Sequence, residues 1–408
     1  MGGDLVALGA SLLVAGLLAR GGRRIGLPTI PLFMVAGIVF GPNTPGIDFV
    51  DDPSDLALLA TLGLVFLLFS LGLEFSVGEL VSGGRRLLAI GAVYLTLNLG
   101  GGLALGFALG WGDREALVIA GAVGISSSAI VTKLLVELGR LANPETRVIL
   151  GIIVVEDLFL ALYLAVLEPV LSDSQGTAEI LTSMATSFGF LLVLGIVARK
   201  LPKLVSRLVA ADDDELLTVC FVGLVILVAG AAEELGVSDA IGAFMVGLIL
   251  AESSVRGRIE RLVIPLRDTF AAVFFFAFGL TIDPGDIAEV AGPVAIAVVL
   301  SVILNLAAGL IAARWNGLSR NGAANVGFTI LARGEFSLIL ASLAAVAGLD
   351  DRIGPFVAGY VLILALAAPL LAANSRSLAR LLPGSKAPTS RPPLPRPPRP
   401  VAGPNEGW

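Results

Sequence analysis

Glu156 and Asp157 stand side by side inside an apolar run spanning 148–167. Roughly 20 apolar residues is the length of a membrane-spanning helix. A carboxylate at bilayer depth costs on the order of 3 kcal/mol or more, so two neighbours do not persist against lipid. They must face a protein interior or a watered cavity. Two readings are open there: an ion or proton site, or a buried pair neutralised for assembly alone. The chain has no histidine. Proton-linked chemistry near neutral pH therefore falls to carboxylates, or failing them to a lysine or the lone thiol, Cys220.

Two other polar interruptions lie at similar depth. Ser126, Ser127 and Ser128 follow Gly124 halfway through an apolar run at 116–137. Serine competes for backbone hydrogen bonds and glycine weakens a helix. A break here would free carbonyls and present hydroxyls, oxygen ligands suited to a bare alkali cation; the alternative is a small-residue packing face. Arg333, Gly334 and Glu335 interrupt a run at 323–347. Residues two apart on a regular helix diverge, so Arg333 and Glu335 can pair only if the helix breaks at Gly334. Arg333 can instead compensate Glu156, or the partial charges of broken helix ends. A purely structural ion pair competes with all of these.

The elements that hold these residues follow from composition. Of 408 residues, 56% are hydrophobic and 15% charged, against about 25% charged in soluble domains. The fold class is all-α polytopic membrane protein. Apolar runs at 5–19, 29–41, 56–75, 87–110, 116–137, 148–167, 178–198, 215–232, 238–251, 264–282, 290–313, 323–347 and 353–373 give about 13 spans. The second and ninth are short enough to be re-entrant. Asp4 precedes the first run, which reads as a span rather than a signal peptide. With Cys220 alone there is no intrachain disulfide. Alternate loops carry arginine and lysine (Arg23, Arg85, Arg140, Lys203, Arg258, Arg320) or acids (Asp51, Asp173, Glu233, Asp286). The positive-inside rule then sets the N-terminus outside and the C-terminus in the cytoplasm, as a multi-pass protein of the plasma (bacterial inner) membrane.

The halves repeat. The stretch from Phe69 to Gly78 aligns with Phe276 to Gly285, and Leu97-Asn98-Leu99 with Leu304-Asn305-Leu306, both at an offset of 207. Phe33-Met34-Val35 resembles Phe244-Met245-Val246. The offset is an odd number of spans, so the halves are inverted, as in secondary transporters. This divides the chain into a transmembrane domain at 1–375, with repeats at 5–167 and 215–373 joined by a linker helix at 178–198, and a tail at 383–408. The tail is proline-rich, basic and reads as disordered or polyproline II.

Together these residues resemble the monovalent cation:proton antiporter-2 family, which includes Kef-type potassium efflux systems. The resemblance spans about 5–375 and rests on Gly26-Leu27-Pro28, Gly37 to Pro42, Phe69 to Glu74, Ser126 to Ile130, Glu156-Asp157 and Ala332 to Ser337. It implies crossed, broken helices, a core that slides against a scaffold, a homodimer, and Asp157 as the group that binds K+ or Na+ and H+ in turn. The family usually has Asp, Asn or Gln where Glu156 stands, which leaves the proton count open. Many relatives carry a nucleotide-binding domain where this chain has its tail, so gating is expected from a separate cytoplasmic regulatory subunit.

The expected activity is cation/proton antiport. Asp157 binds the ion, Glu156 and Ser126 to Ser128 assist, and Arg333 and Glu335 compensate charge. Catalysis, cofactors and nucleic acid are not expected; the lipid bilayer is the constant partner. Alternatives are a coupled symporter, which needs groups for a solute, and a gated channel, which needs a continuous polar lining. An intramembrane aspartyl protease needs acids facing each other from separate spans, unlike this tandem pair.

Overall fold

The computed structural model describes residues 2–24, 29–44, 56–74, 77–171, 202–235, 237 and 239–381, with isolated residues between 182 and 196. All regular structure among them is helical. In chain order the helices are α1 (Gly2–Arg24), α2 (Thr29–Phe40), α3 (Ala57–Glu74), α4 (Val77–Leu109), α5 (Asp113–Gly124), α6 (Ser128–Glu137) and α7 (Thr146–Leu171). Then come α8 (Pro202–Val209), α9 (Asp214–Glu234), α10 (Asp239–Ala251), α11 (Arg256–Leu280), α12 (Pro284–Glu289) and α13 (Ala291–Asn316). The chain continues through α14 (Arg320–Thr329), α15 (Glu335–Val346) and α16 (Ile353–Ala373). A short turn of helix at Ser375–Leu378 follows.

Eight described helices are long and apolar enough to cross a membrane, counting α5 with α6 as one; α2, α10 and α15 are shorter apolar helices. The expected span at 178–198, apart from those isolated residues, and the tail at 383–408 lie outside the described residues. Two additions were not expected from hydropathy. α8 carries Lys203 and Arg207 in the basic stretch before α9. α11 starts at Arg256, before its apolar window, and this extension is tied by Arg256–Glu260 at 2.6 Å and Arg258–Asp214 at 2.6 Å. Hydropathy windows miss such charged ends because the charges sit beyond the hydrocarbon layer.

The helices form two packed groups. In one, α3 lies against α10 and α11, α11 against α2, α2 against α1, and α10 against α9. In the other, α4 packs on α5 and α7, α13 on α14, α4 and α16, and α15 on α16 and α5. Thinner seams join them, at α7–α10, α11–α15 and α2–α16.

The first group is held by two glycine crossings. Gly72 and Gly247 bring the backbones of α3 and α10 together: a side chain on Gly72 would meet Phe244 and Gly247, and one on Gly247 would meet Phe69 and Gly72. Gly279 and Gly37 do the same for α11 and α2, against Met34 and Phe276. Helices in lipid gain little from apolar transfer between them, so close backbone approach supplies the packing energy. The crossings also correct a register. Met34 and Gly37 occupy the places of Phe244 and Gly247, a separation of 210 residues, whereas matching Phe33-Met34-Val35 to Phe244-Met245-Val246 is one residue off. Apolar side chains fit either register; only the glycine contact distinguishes them.

Replacing Gly247 by valine is expected to lower stability by about 2 kcal/mol or more through overpacking. Gly223→Val, which has open space around it, serves as the control that loses far less. Thermal unfolding of the detergent-purified protein checks the difference.

Candidate functional site

Both polar interruptions are helix breaks, and the breaks cross. α5 ends at Gly124 and α6 starts at Ser128; α14 ends at Thr329 and α15 starts at Glu335. The intervening chains touch, with the Ser127 backbone N–H donating to the Ala332 carbonyl at 3.0 Å. Each break leaves unpaired carbonyls at one helix end and unpaired N–H groups at the next helix start. In a bilayer these must be satisfied within the protein.

Arg333 satisfies the carbonyl ends. Its guanidinium donates to the Val123 carbonyl at 3.1 and 2.7 Å, and to the carbonyls of Ile330 at 3.0 Å and Leu331 at 3.2 Å. Val123 belongs to the last turn of α5, and Ile330 follows α14. The side chain is fully buried. Of the partners open to Arg333 from sequence, the structure selects the broken helix ends: among the described residues none of its hydrogen bonds goes to a carboxylate. The Ser337 hydroxyl satisfies a further α5 carbonyl, that of Ala122, at 2.8 Å.

Glu335 sits at the opposite, positive ends. Its carboxylate accepts from the Ser127 hydroxyl at 2.5 Å and from the Ala129 backbone N–H at 3.4 Å, over the first turn of α6. Ser127 also caps α6 by accepting from the Ile130 N–H at 3.3 Å. Negative charge at a helix start and positive charge at a helix end are both favourable. Gly334 is required by space: a Cβ there would lie 2.8 Å from the Ser127 hydroxyl and 3.0 Å from its Cβ.

The acid pair lies on α7 beside this crossing. Glu156 accepts from the Ser126 backbone N–H at 2.8 Å and from its hydroxyl at 2.7 Å. Asp157 is 8% exposed, and its Oδ1 is buried without a hydrogen-bond partner. The serines therefore diverge. Ser126 serves Glu156, Ser127 serves Glu335, and Ser128 faces a cavity. None of the three hydroxyls bonds to Asp157 among the described residues.

Sequence reasoning missed Tyr94. Its hydroxyl donates to Asn305 Oδ1 at 3.1 Å and accepts from Arg333 at 3.4 Å, which ties α4 and α13 to the crossing. Asn305 donates to Asn98 at 3.1 Å, so these asparagines are interhelical glue, as their place in two apolar runs implies. The available signal was the i,i+4 spacing of Tyr94 and Asn98 within an apolar helix. A second network joins half-buried Arg140 to buried Asn325 and Glu145. Asn325 donates to Glu145 at 2.8 Å, and Arg140 donates to Asn325 and, at 2.9 Å, to the Ala372 carbonyl. Glu74, at the end of α3, meets Arg267 at 3.4 Å.

A cavity of about 980 Å³ runs between the two helix groups. It passes exposed Arg20 and Arg23 and reaches Ser128 and Glu335. Asp157 and Glu156 do not line it.

Residues 9–373 match the family described as "Sodium/hydrogen exchanger, transmembrane". The chain belongs to this family. It is 41% identical over 381 residues to the K(+)/H(+) antiporter subunit KhtU of Bacillus subtilis (strain 168), covering 92% of this chain and 94% of that one. It is 30% identical over 392 residues to the ammonium/H(+) antiporter subunit AmhT of Alkalihalophilus pseudofirmus, covering 95% and 97%. It superposes on the sodium proton antiporter MjNhaP1 from Methanocaldococcus jannaschii with a TM-score of 0.69, at 14% identity, covering 93% of this chain and 98% of that one. The fold is therefore shared with that structure, and the chain is a multi-pass membrane protein of a transporter family.

Arg333→Gln is expected to cost about 3 kcal/mol or more, because it leaves several buried carbonyls short of donors. Arg333→Lys should recover little of it, since a compact ammonium cannot span both helix ends. Thermal melts of the two variants decide this; a lysine variant as stable as the parent would show that charge alone suffices.

Proposed function

We propose that this chain is a monovalent cation/proton antiporter in which Asp157 binds K+ or Na+ and H+ in alternation. The observation that carries the reading is the unpartnered Oδ1 of Asp157, buried at the crossing. Every neighbouring charge has an assigned partner: Arg333 the carbonyl ends, Glu335 the start of α6, Glu156 the two donors of Ser126. Asp157 keeps a buried oxygen that no protein hydrogen bond occupies, open to an exchangeable ligand. Its charged, empty form is costly to carry past an apolar barrier, whereas the protonated and the cation-bound forms are neutral and cheaper. That difference couples the two fluxes. The names of KhtU and AmhT, both cation/H(+) antiporter subunits, support the same reading.

The finer architecture belongs to this proposal: about 13 spans, with repeats at 5–167 and 215–373 inverted about an axis in the membrane plane. Paired contacts at one separation support it. Asn98 and Asn305 lie 207 residues apart and are bonded to each other. Gly102 approaches Ala120 as Gly309 approaches Gly327, again 207 residues on. We further propose a homodimer in the plasma membrane, N-terminus outside and C-terminus in the cytoplasm. A separate regulatory polypeptide fits the word subunit in the relatives' names.

Because both Ser126 donors hold Glu156 in place, one proton is expected per cation, and exchange is electroneutral. In proteoliposomes carrying an internal pH dye, K+ or Na+ added against a pH gradient should move protons, and clamping the membrane potential should leave the rate unchanged. Asp157→Asn is expected to abolish the signal with folding intact. Exchange at the parental rate in that variant would refute the assignment, and a rate that follows the clamp would mean that Glu156 titrates too.

A further inference from the structure

The cavity ends at the wrong acid for a one-site transporter. Its lining contains Glu335, Ser128 and Thr132, and lacks Asp157. Ser128 and Thr132 are four residues apart on α6, so their hydroxyls share one face of that helix. Glu335 lies over the same turn, fixed by the Ser127 hydroxyl and the Ala129 N–H. Its side chain is 1% exposed. Among the described residues it has no ion pair, only neutral donors and the partial charge of helix starts. A buried carboxylate without a full opposite charge is expensive. The basic residues lining the cavity are Arg20, Arg23, Lys133 and Arg267, and among the described residues none forms an ion pair with Glu335: Arg267 engages Glu74 at 3.4 Å and Asp268 at 2.9 Å, and Arg20 and Arg23 are exposed.

We propose that Glu335, Ser128 and Thr132 form a second monovalent-cation site, which receives the ion from the cavity before it reaches Asp157. The proposal rests on the antiport reading and deepens it. A carboxylate with two hydroxyls is an oxygen set suited to a partly hydrated alkali cation, and the cavity gives that cation its route in. The serine triplet supplies the link onward. Ser127 holds Glu335 while Ser126, one residue earlier, holds Glu156 beside Asp157. The two sites are thus adjacent along three residues of extended chain. The cavity's charged residues Arg20, Arg23, Glu74 and Arg267 mark the side of the membrane from which this site is entered.

The test has a binding arm and a transport arm, both on the full chain. In detergent, KCl or NaCl is titrated against choline chloride and the unfolding midpoint is read. Asp157→Asn should keep a saturable cation-dependent rise, and Asp157→Asn with Glu335→Gln should lose it. In oriented proteoliposomes, Glu335→Gln should raise the cation KM about fivefold or more on the cavity side and leave the opposite side unmoved. Glutamine keeps an oxygen for Ser127; should the variant still misfold, Ser128→Ala with Thr132→Val is expected to raise the same one-sided KM. Complete loss of the cation-dependent rise in Asp157→Asn alone, or a KM change equal on both sides, would overturn the second site. A parent protein that binds cations but exchanges none would sink the antiport reading instead, and the binding arm would still decide the site.

Discussion

Everything at the centre of this protein depends on one debt of the backbone. Two helices stop halfway through the membrane, and water is not there to take their unpaired groups. The chain answers with one side chain of each sign. Arg333 covers the carbonyl ends of α5 and α14, and Glu335 lies on the starting turn of α6. Each is tolerated at that depth because the broken helices are there, and the breaks are tolerated because of them. The tethers through Tyr94, Asn98 and Asn305 then fix the crossing to the long helices α4 and α13.

The glycine crossings play the complementary part. α2 with α11 and α3 with α10 approach to backbone contact, which makes that group stiff. The group with the broken helices meets it along thin seams and across a cavity. Packed interiors shift between discrete arrangements rather than deform smoothly. A rigid frame beside a loosely seated core is the arrangement in which the core can move as a body.

Much of this was legible in the sequence, and the limits are physical. The breaks announced themselves because Ser126 to Ser128 and Arg333 to Glu335 interrupt apolar runs where polar groups are costly. The acid pair was legible for the same reason. Depth is a one-dimensional property, and composition reports it. Partner choice is not. Nothing in the order of residues tells whether Arg333 meets Glu156, Glu335 or bare carbonyls, since that depends on how two breaks cross. The same applies to the serines, which read as one ligand set and in fact serve three different surroundings. The register between α2 and α10 was misread by one residue because apolar side chains match in either alignment. The cavity's end at Glu335 rather than Asp157 had no sequence signal at all.

Ser126 and Arg333 stand 207 residues apart, the same separation as Asn98 and Asn305. So do Val123 and Ile330, the carbonyls that Arg333 joins. Under the proposed inverted repeat the two halves present matching unpaired carbonyls, and a single guanidinium from one half serves both. The counterpart position in the other half is left with a small hydroxyl, which turns to Glu156. On that proposal the charge is not shared equally between the halves, and the inward and outward forms of the molecule need not be energetic mirror images.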